Sequence, residues 1–280
     1  MDPIDHELVS RTECLDIARK CLEKHKILDF QLVTYEVQHS IATGGFTGQY
    51  YTLTVQVIVD DNTPKTLNFF IKAPPPINTL VAAYVEETGH FEKEVYIYNN
   101  IFPKLLKNLD RPIVPECYLA IPKRIIVLED LRNISFVMVD KMVPLELDHC
   151  KVVLVALAKF HAKSMIFEET CGKSIHDEFS QGIFEVWYSK KSDRSVQKYW
   201  TTIRGLIYLV DRIDKFDKTA KAKFKDKIEE IAENHTDYLL PSKMYKNVIS
   251  HGDLWVNNIL FRMQNDGKPD ACSFVDYQLL

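Results

Sequence analysis

The residues whose types and spacing could do chemistry together are His251-Gly252-Asp253, then Asn258, then Asp276. The first three sit in a short polar stretch that runs into apolar Ile259-Leu260-Phe261. Asp276 closes a second apolar stretch, Phe274-Val275. Between them lies Asn265-Asp266-Gly267. Asp-Gly favours a tight reversal, so the two stretches are expected to pair as a hairpin. Such a hairpin brings Asp253, Asn258 and Asp276 to one mouth. Phosphoryl transfer from ATP needs this set: one carboxylate to take a hydroxyl proton, an amide oxygen on Mg²⁺, and a second carboxylate on Mg²⁺. The alternative is an Asx-rich turn that caps a strand. An Asp at the end of the following strand favours the catalytic reading.

A cation and its partner lie upstream. Lys72 interrupts the apolar stretch Phe69-Phe70-Ile71-Lys72-Ala73. Strand alternation puts Phe70 and Lys72 on one face and Phe69, Ile71 and Ala73 on the other. A charge in such a strand is costly unless paired. The partner is expected on the next helix, His90 to Leu106, whose apolar face is Phe91, Val95, Tyr98 and Phe102. Glu94 lies on that face, three after Phe91 and four before Tyr98. Glu92 lies off it, on the solvated side.

The stretch His251 to Phe261, with Trp255 and the doubled Asn257-Asn258, resembles the catalytic loop of the insect ecdysteroid kinase-like proteins. That group belongs with the choline kinase and aminoglycoside phosphotransferase relatives of the protein kinases, which carry His-Gly-Asp at this place. Three further stretches are similar to the same family: Lys93-Glu94, Leu128-Glu129-Asp130-Leu131, and Leu157-Ala158-Lys159-Phe160-His161-Ala162. The resemblance implies an α+β, two-lobed protein-kinase-like fold with an antiparallel small lobe (1–128) and a mainly helical large lobe (129–280). It implies ATP with Mg²⁺ as cofactors and a small-molecule alcohol as substrate, an ecdysteroid first, with choline or a xenobiotic alcohol as alternatives. Lys72 would hold phosphate oxygens and be held by Glu94. Glu129 and Leu131 would border the adenine. Asn258 and Asp276 would bind the metal, and Asp253 would be the catalytic base. His251 would brace the loop. A kinase fold used only for binding is the remaining alternative. Relatives continue past the metal-binding aspartate, whereas this chain ends at Leu280. The expectation is therefore an incomplete large lobe with an open acceptor site and weak activity.

The elements needed to position these residues can be read from periodicity. Ser10-Arg11-Thr12-Glu13 is a capping box, and Cys14, Ala18, Cys21 and Leu22 follow at helical spacing. Gln31 to Ile41, Tyr50 to Val59 and Leu67 to Ala73 read as three successive strands. Tyr51, Leu53, Val55, Val57 and Val59 share one face of the second. The loop Ala42 to Gly48 holds three glycines that could admit phosphate oxygens to backbone N–H groups. It joins strand to strand, which excludes a Rossmann site. Cys117 to Ile121 and Arg124 to Leu128 read as two more strands. Asp148 is expected to cap a helix bearing Val153 or Leu154, Leu157, Ala158, His161, Ala162 and Met165. His161 is expected to be buried and to hydrogen-bond structure near the catalytic loop. Trp187, Tyr188, Tyr199, Trp200 and Tyr208 could line an apolar site, but core packing is the expected role. Asp211 to Asn234 reads as an exposed helix of mixed charge.

Composition narrows the class. A hydrophobic fraction of 46% excludes a disordered chain. A net charge of -4 gives no basic footprint, so no nucleic-acid partner is expected. The six cysteines form no Cys-x-x-Cys pair, which argues against a zinc site. No apolar run is long enough to span a bilayer, and the first residues do not form a secretory signal. The expectation is a reduced, cytoplasmic protein without a membrane partner.

Overall fold

Side-chain alternation along one strand divides the small lobe into two packed faces. The computed structural model describes residues 8–40, 48–107, 113–188 and 193–280. Helix α1 (Arg11–Glu23) starts at the capping box, where Glu13 N–H donates to Ser10 Oγ and Ser10 N–H donates to Glu13 Oε2. It buries Cys14, Ile17, Ala18 and Leu22. Five antiparallel strands follow: β1 (Phe30–His39), β2 (Gln49–Val59), β3 (Thr63–Ala73), β4 (Cys117–Ile121) and β5 (Ile125–Glu129). Their spatial order is β1-β2-β3-β5-β4. Phe69, Ile71 and Ala73 of β3 join Leu53, Val55 and Val57 of β2 in a core under α1. Phe70 packs on the opposite side, against the core that continues into the large lobe. Lys72 shares that second face, as alternation requires.

Between β3 and β4 lie α2 (Leu80–Thr88), α3 (His90–Tyr96), a π turn (Ile97–Ile101) and α4 (Phe102–Leu105). Gly89 separates α2 from α3 at φ 69, a left-handed conformation that costs glycine little. Phe91, Glu94, Val95, Tyr98 and Phe102 are all buried, so the helical register read from sequence holds. Lys93 is buried as well, which that register did not anticipate. Its Nζ donates to Phe184 O at 2.6 Å, and the ammonium lies over the Phe184 ring.

The large lobe begins with a short turn (Leu131–Ile134) and β6 (Phe136–Met138), then α5 (Leu147–Cys171), α6 (Ile175–Glu178), α7 (Asp193–Asp211), α8 (Lys218–Glu233) and α9 (His235–Tyr238). A 3-10 turn (Val256–Asn258) leads into the hairpin β7 (Ile259–Met263) and β8 (Pro269–Phe274), which β6 completes as a three-stranded sheet. The chain is thus an α+β, two-lobed, kinase-like fold. No helix among the described residues is long and apolar enough to cross a membrane.

Several expectations need correction. The first strand ends at His39, and most of the glycine-bearing loop, residues 42–47, lies outside the described residues. Glu146, not Asp148, precedes the first turn of α5. The buried stripe of α5 is Ala156, Phe160, Ser164 and Phe167, while Leu154 and Met165 are exposed. Small Ser164 lets the segment before His251-Gly252-Asp253 approach, and its Oγ accepts from Ile249 N–H at 3.1 Å. The bracing contact belongs to Ser164 and not to His161, whose Nε2 has no hydrogen-bond partner among the described residues. Trp187 and Tyr188 precede α7 instead of lying in a helix. The mixed-charge helix starts only at Lys218, because Asp217 caps it by accepting from Ala220 N–H.

Candidate functional site

The hairpin expected from Asp-Gly forms, with Gly267 at φ 80 in its turn and Ile259 opposite Phe274. Val275 N–H donates to Asn258 O at 3.0 Å, so the chain leaving β8 stays beside the 3-10 turn. This register sets the spacing between Asp253, Asn258 and Asp276. His251 is the internal brace. Its Nδ1 accepts from Asp253 N–H and its Nε2–H donates to Val275 O. Burial holds the ring's pKa below its ordinary value, so it serves as a neutral fixture. Gly252 sits at φ 77, where an added Cβ would lie 2.2 Å from Leu279 O. Only glycine fits that approach.

Asn258 is buried and points its amide nitrogen at Asp253. Nδ2 donates to Asp253 O at 2.9 Å and to Oδ2 at 3.1 Å. Asp253 remains partly open to the cleft. Burial raises its pKa, the Asp276 charge adds to this, and the Asn258 amide works in the opposite direction. A carboxylate raised in this way is a better proton acceptor than a solvated aspartate.

Asp276 adopts φ 67, a left-handed backbone that few non-glycine residues take. The conformation turns Oδ1 toward Lys72 Nζ at 2.6 Å. Lys72 Nζ also donates to Glu94 Oε2 at 2.5 Å. Lys72 and Glu94 are both almost fully buried. Burial opposes the Lys72 charge, but the Asp276 and Glu94 carboxylates outweigh it and hold the lysine above its ordinary pKa. Burial raises Glu94, and the second carboxylate reinforces that against the pull of Lys72. Tyr277 N–H donates to Glu94 Oε1. Its fully buried ring packs edge-on against Phe102 at 4.7 Å and lies tilted against the His251 ring at 4.7 Å. One residue therefore anchors the Asp276 backbone to both the helix that carries Glu94 and the loop that carries His251.

These groups open onto a cleft of about 870 Å³. All seven residues singled out from sequence border it: Lys72, Glu94, Glu129, Leu131, Asp253, Asn258 and Asp276. Glu129 ends β5, and its N–H donates to Glu116 O at 2.7 Å. Buried Asp130 clamps Arg132 through two parallel bonds, Nε to Oδ1 at 2.8 Å and Nη2 to Oδ2 at 2.6 Å. Arg132 Nη2 also reaches Thr52 Oγ1, which ties the turn holding Leu131 to β2. Among the described residues, no group of three or more His, Cys, Asp and Glu is placed to hold a metal. Asp276 and Asn258 both border the cleft, and each carries a hard oxygen of the kind that Mg²⁺ prefers.

Sequence reasoning missed part of the wall. Trp187, set aside as core, is exposed and lines the cleft. Lys198 of α7 lies 3.8 Å from its ring centre and also lies over Tyr84. Tyr84, His90 and Lys198 border the cleft too. No local motif marks them, because their placement depends on how α2 and α7 pack.

A family model described as the ecdysteroid kinase-like family matches residues 43–280. No curated protein matches the chain.

Proposed function

The chain belongs to the ecdysteroid kinase-like family, and from that premise we propose that it is an ATP- and Mg²⁺-dependent kinase for a hydroxyl group on an apolar small molecule, with an ecdysteroid as first candidate. The observation that carries this reading is the meeting of two sets in one cleft: Lys72 between Glu94 and Asp276, and Asp253 held by Asn258. Mg²⁺-ATP would bring the transferable phosphoryl group and neutralise charge that develops during transfer. Lys72 is poised for phosphate oxygens, and its partners fix the ammonium in place. Asn258 Oδ1 and the Asp276 carboxylate would hold the metal. Asp253 would orient the acceptor hydroxyl and take its proton at the carboxylate oxygen not engaged by Asn258. Positioning supplies much of the rate, and the Tyr277 and His251 anchors serve it.

The wall beyond the carboxylates supports an apolar acceptor. Leu80, Val81, Trp187 and Trp255 border it with exposed apolar surface. A quaternary ammonium such as choline fits less well, because the Lys198 ammonium already lies over the Trp187 ring. Nucleotide binding measured by calorimetry with and without Mg²⁺ tests the metal assignment. Wild-type affinity should depend on Mg²⁺, and Asp276→Ala should remove that dependence. Equal dependence in the variant would place the metal elsewhere.

A further inference from the structure

His90 opens α3 directly after Gly89 and is only 1% exposed, yet it borders the cleft. The site as described above gives it no task. Its hydrogen bonds settle which nitrogen carries the proton. Thr88 Oγ–H donates to Tyr84 O at 2.6 Å, the usual bond of a helical threonine to the preceding turn. A hydroxyl has one hydrogen, so toward His90 Nδ1, with which it is also in contact, Thr88 Oγ can only accept. Nδ1 therefore carries the hydrogen.

Burial pushes the ring's pKa down to about 4, and Lys93, Lys72 and Lys198 add to that against Asp276. The ring is neutral near pH 7, and Nε2 keeps a lone pair. Nε2 has no partner among the described residues. The ring borders the cleft, so a lone pair on Nε2 accepts from whichever donor the cleft presents, water or ligand. His90 and Asp253 border the same cleft, so one acceptor molecule in it can meet both.

We infer that His90 Nε2 reads a second hydroxyl on the acceptor: the substrate carries one hydroxyl for Asp253 and another that donates to His90. This rests on reading the cleft as an acceptor site. It makes His90 a specificity residue that favours polyols over apolar alcohols with one hydroxyl. Thr88 is the positioning residue that sets the tautomer.

The test uses ecdysone as polyol and pregnenolone as the alcohol with one hydroxyl. In protein labelled with ¹⁵N-histidine, His90 should show hydrogen on Nδ1, and its Nε2 signal should move with ecdysone but not with pregnenolone. Thr88→Val should shift the hydrogen toward Nε2. In turnover, His90→Asn keeps the donor toward Thr88 and removes the cleft acceptor. It should cut the ecdysone-to-pregnenolone ratio of kcat/KM by about tenfold, the scale of one unmade hydrogen bond, with KM for ATP unchanged. His90→Gln keeps an acceptor at the Nε2 position and should restore part of the ratio. Hydrogen on Nε2 in the wild type, an Nε2 signal indifferent to ecdysone, or equal losses on both alcohols would overturn the inference. If neither alcohol is phosphorylated, the kinase reading fails for this class of acceptor, and the two spectroscopic results still decide the role of His90.

Discussion

Asp276 Oδ1 lies 2.6 Å from Lys72 Nζ, although the two residues are 204 positions apart. The contact joins the end of the hairpin in one lobe to the third strand of the other. Glu94 completes it from α3, so an element on each side of the cleft contributes. With two carboxylates and one ammonium, the cluster carries net negative charge, which a metal ion would relieve.

Lys72→Met should destabilise the protein by about 3–5 kcal/mol, the scale for leaving a buried charge without its partner. Adding Glu94→Gln should recover part of that loss, because the stranded carboxylate is then neutral. Urea unfolding of the single and double variants checks this. A single variant within about 1 kcal/mol of wild type, well under that scale, would mean that the lysine is not held as described.

Gly252→Ala should cost stability and turnover together, although it removes no functional group. The alanine would have to adopt φ 77 and push its Cβ into Leu279 O. A loss of about 2 kcal/mol or more, in the upper range for single substitutions, is expected from thermal unfolding. A neutral outcome would show that the loop sits differently.

Lys93 gives a pH signature outside the catalytic set. Burial lowers its pKa from 10.5 to about 8. Between those values the unfolded chain holds a proton on this lysine that the folded protein lacks, so stability rises with pH across that window. The slope from one group is at most about 1.4 kcal/mol per pH unit. Unfolding at pH 8 and pH 10 should show a larger upward change for wild type than for Lys93→Met. Identical changes would show that Lys93 titrates as a solvated lysine.

Much of this arrangement was legible in the sequence where short-range patterns govern it. Alternation in β3 placed Lys72 apart from Phe69 and Ile71, helical spacing chose Glu94 over Glu92, and Asp-Gly announced the hairpin. What the sequence hid depends on packing between distant segments. Ser164 and not His161 braces the catalytic segment, because a small side chain was needed where Ile249 approaches. Trp187 lines the cleft because Glu185 Oε1 accepts from Trp187 N–H and Tyr188 N–H and fixes the turn before α7. His90 became visible only when Thr88 and Tyr84 showed which nitrogen is protonated. Such relationships leave no periodicity to read.

The most direct test of the central claim is phosphoryl transfer itself. Purified protein is incubated with Mg²⁺-ATP and, in turn, an ecdysteroid, choline and an aminoglycoside, and ³¹P spectra are searched for a new phosphate monoester. Wild type is expected to give a monoester on the ecdysteroid, and Asp253→Asn to lose at least about a hundredfold of that rate, the scale of a general base, while nucleotide binding persists. An unchanged rate in Asp253→Asn, or Mg²⁺-dependent ATP binding with no monoester on any of these alcohols, would contradict it.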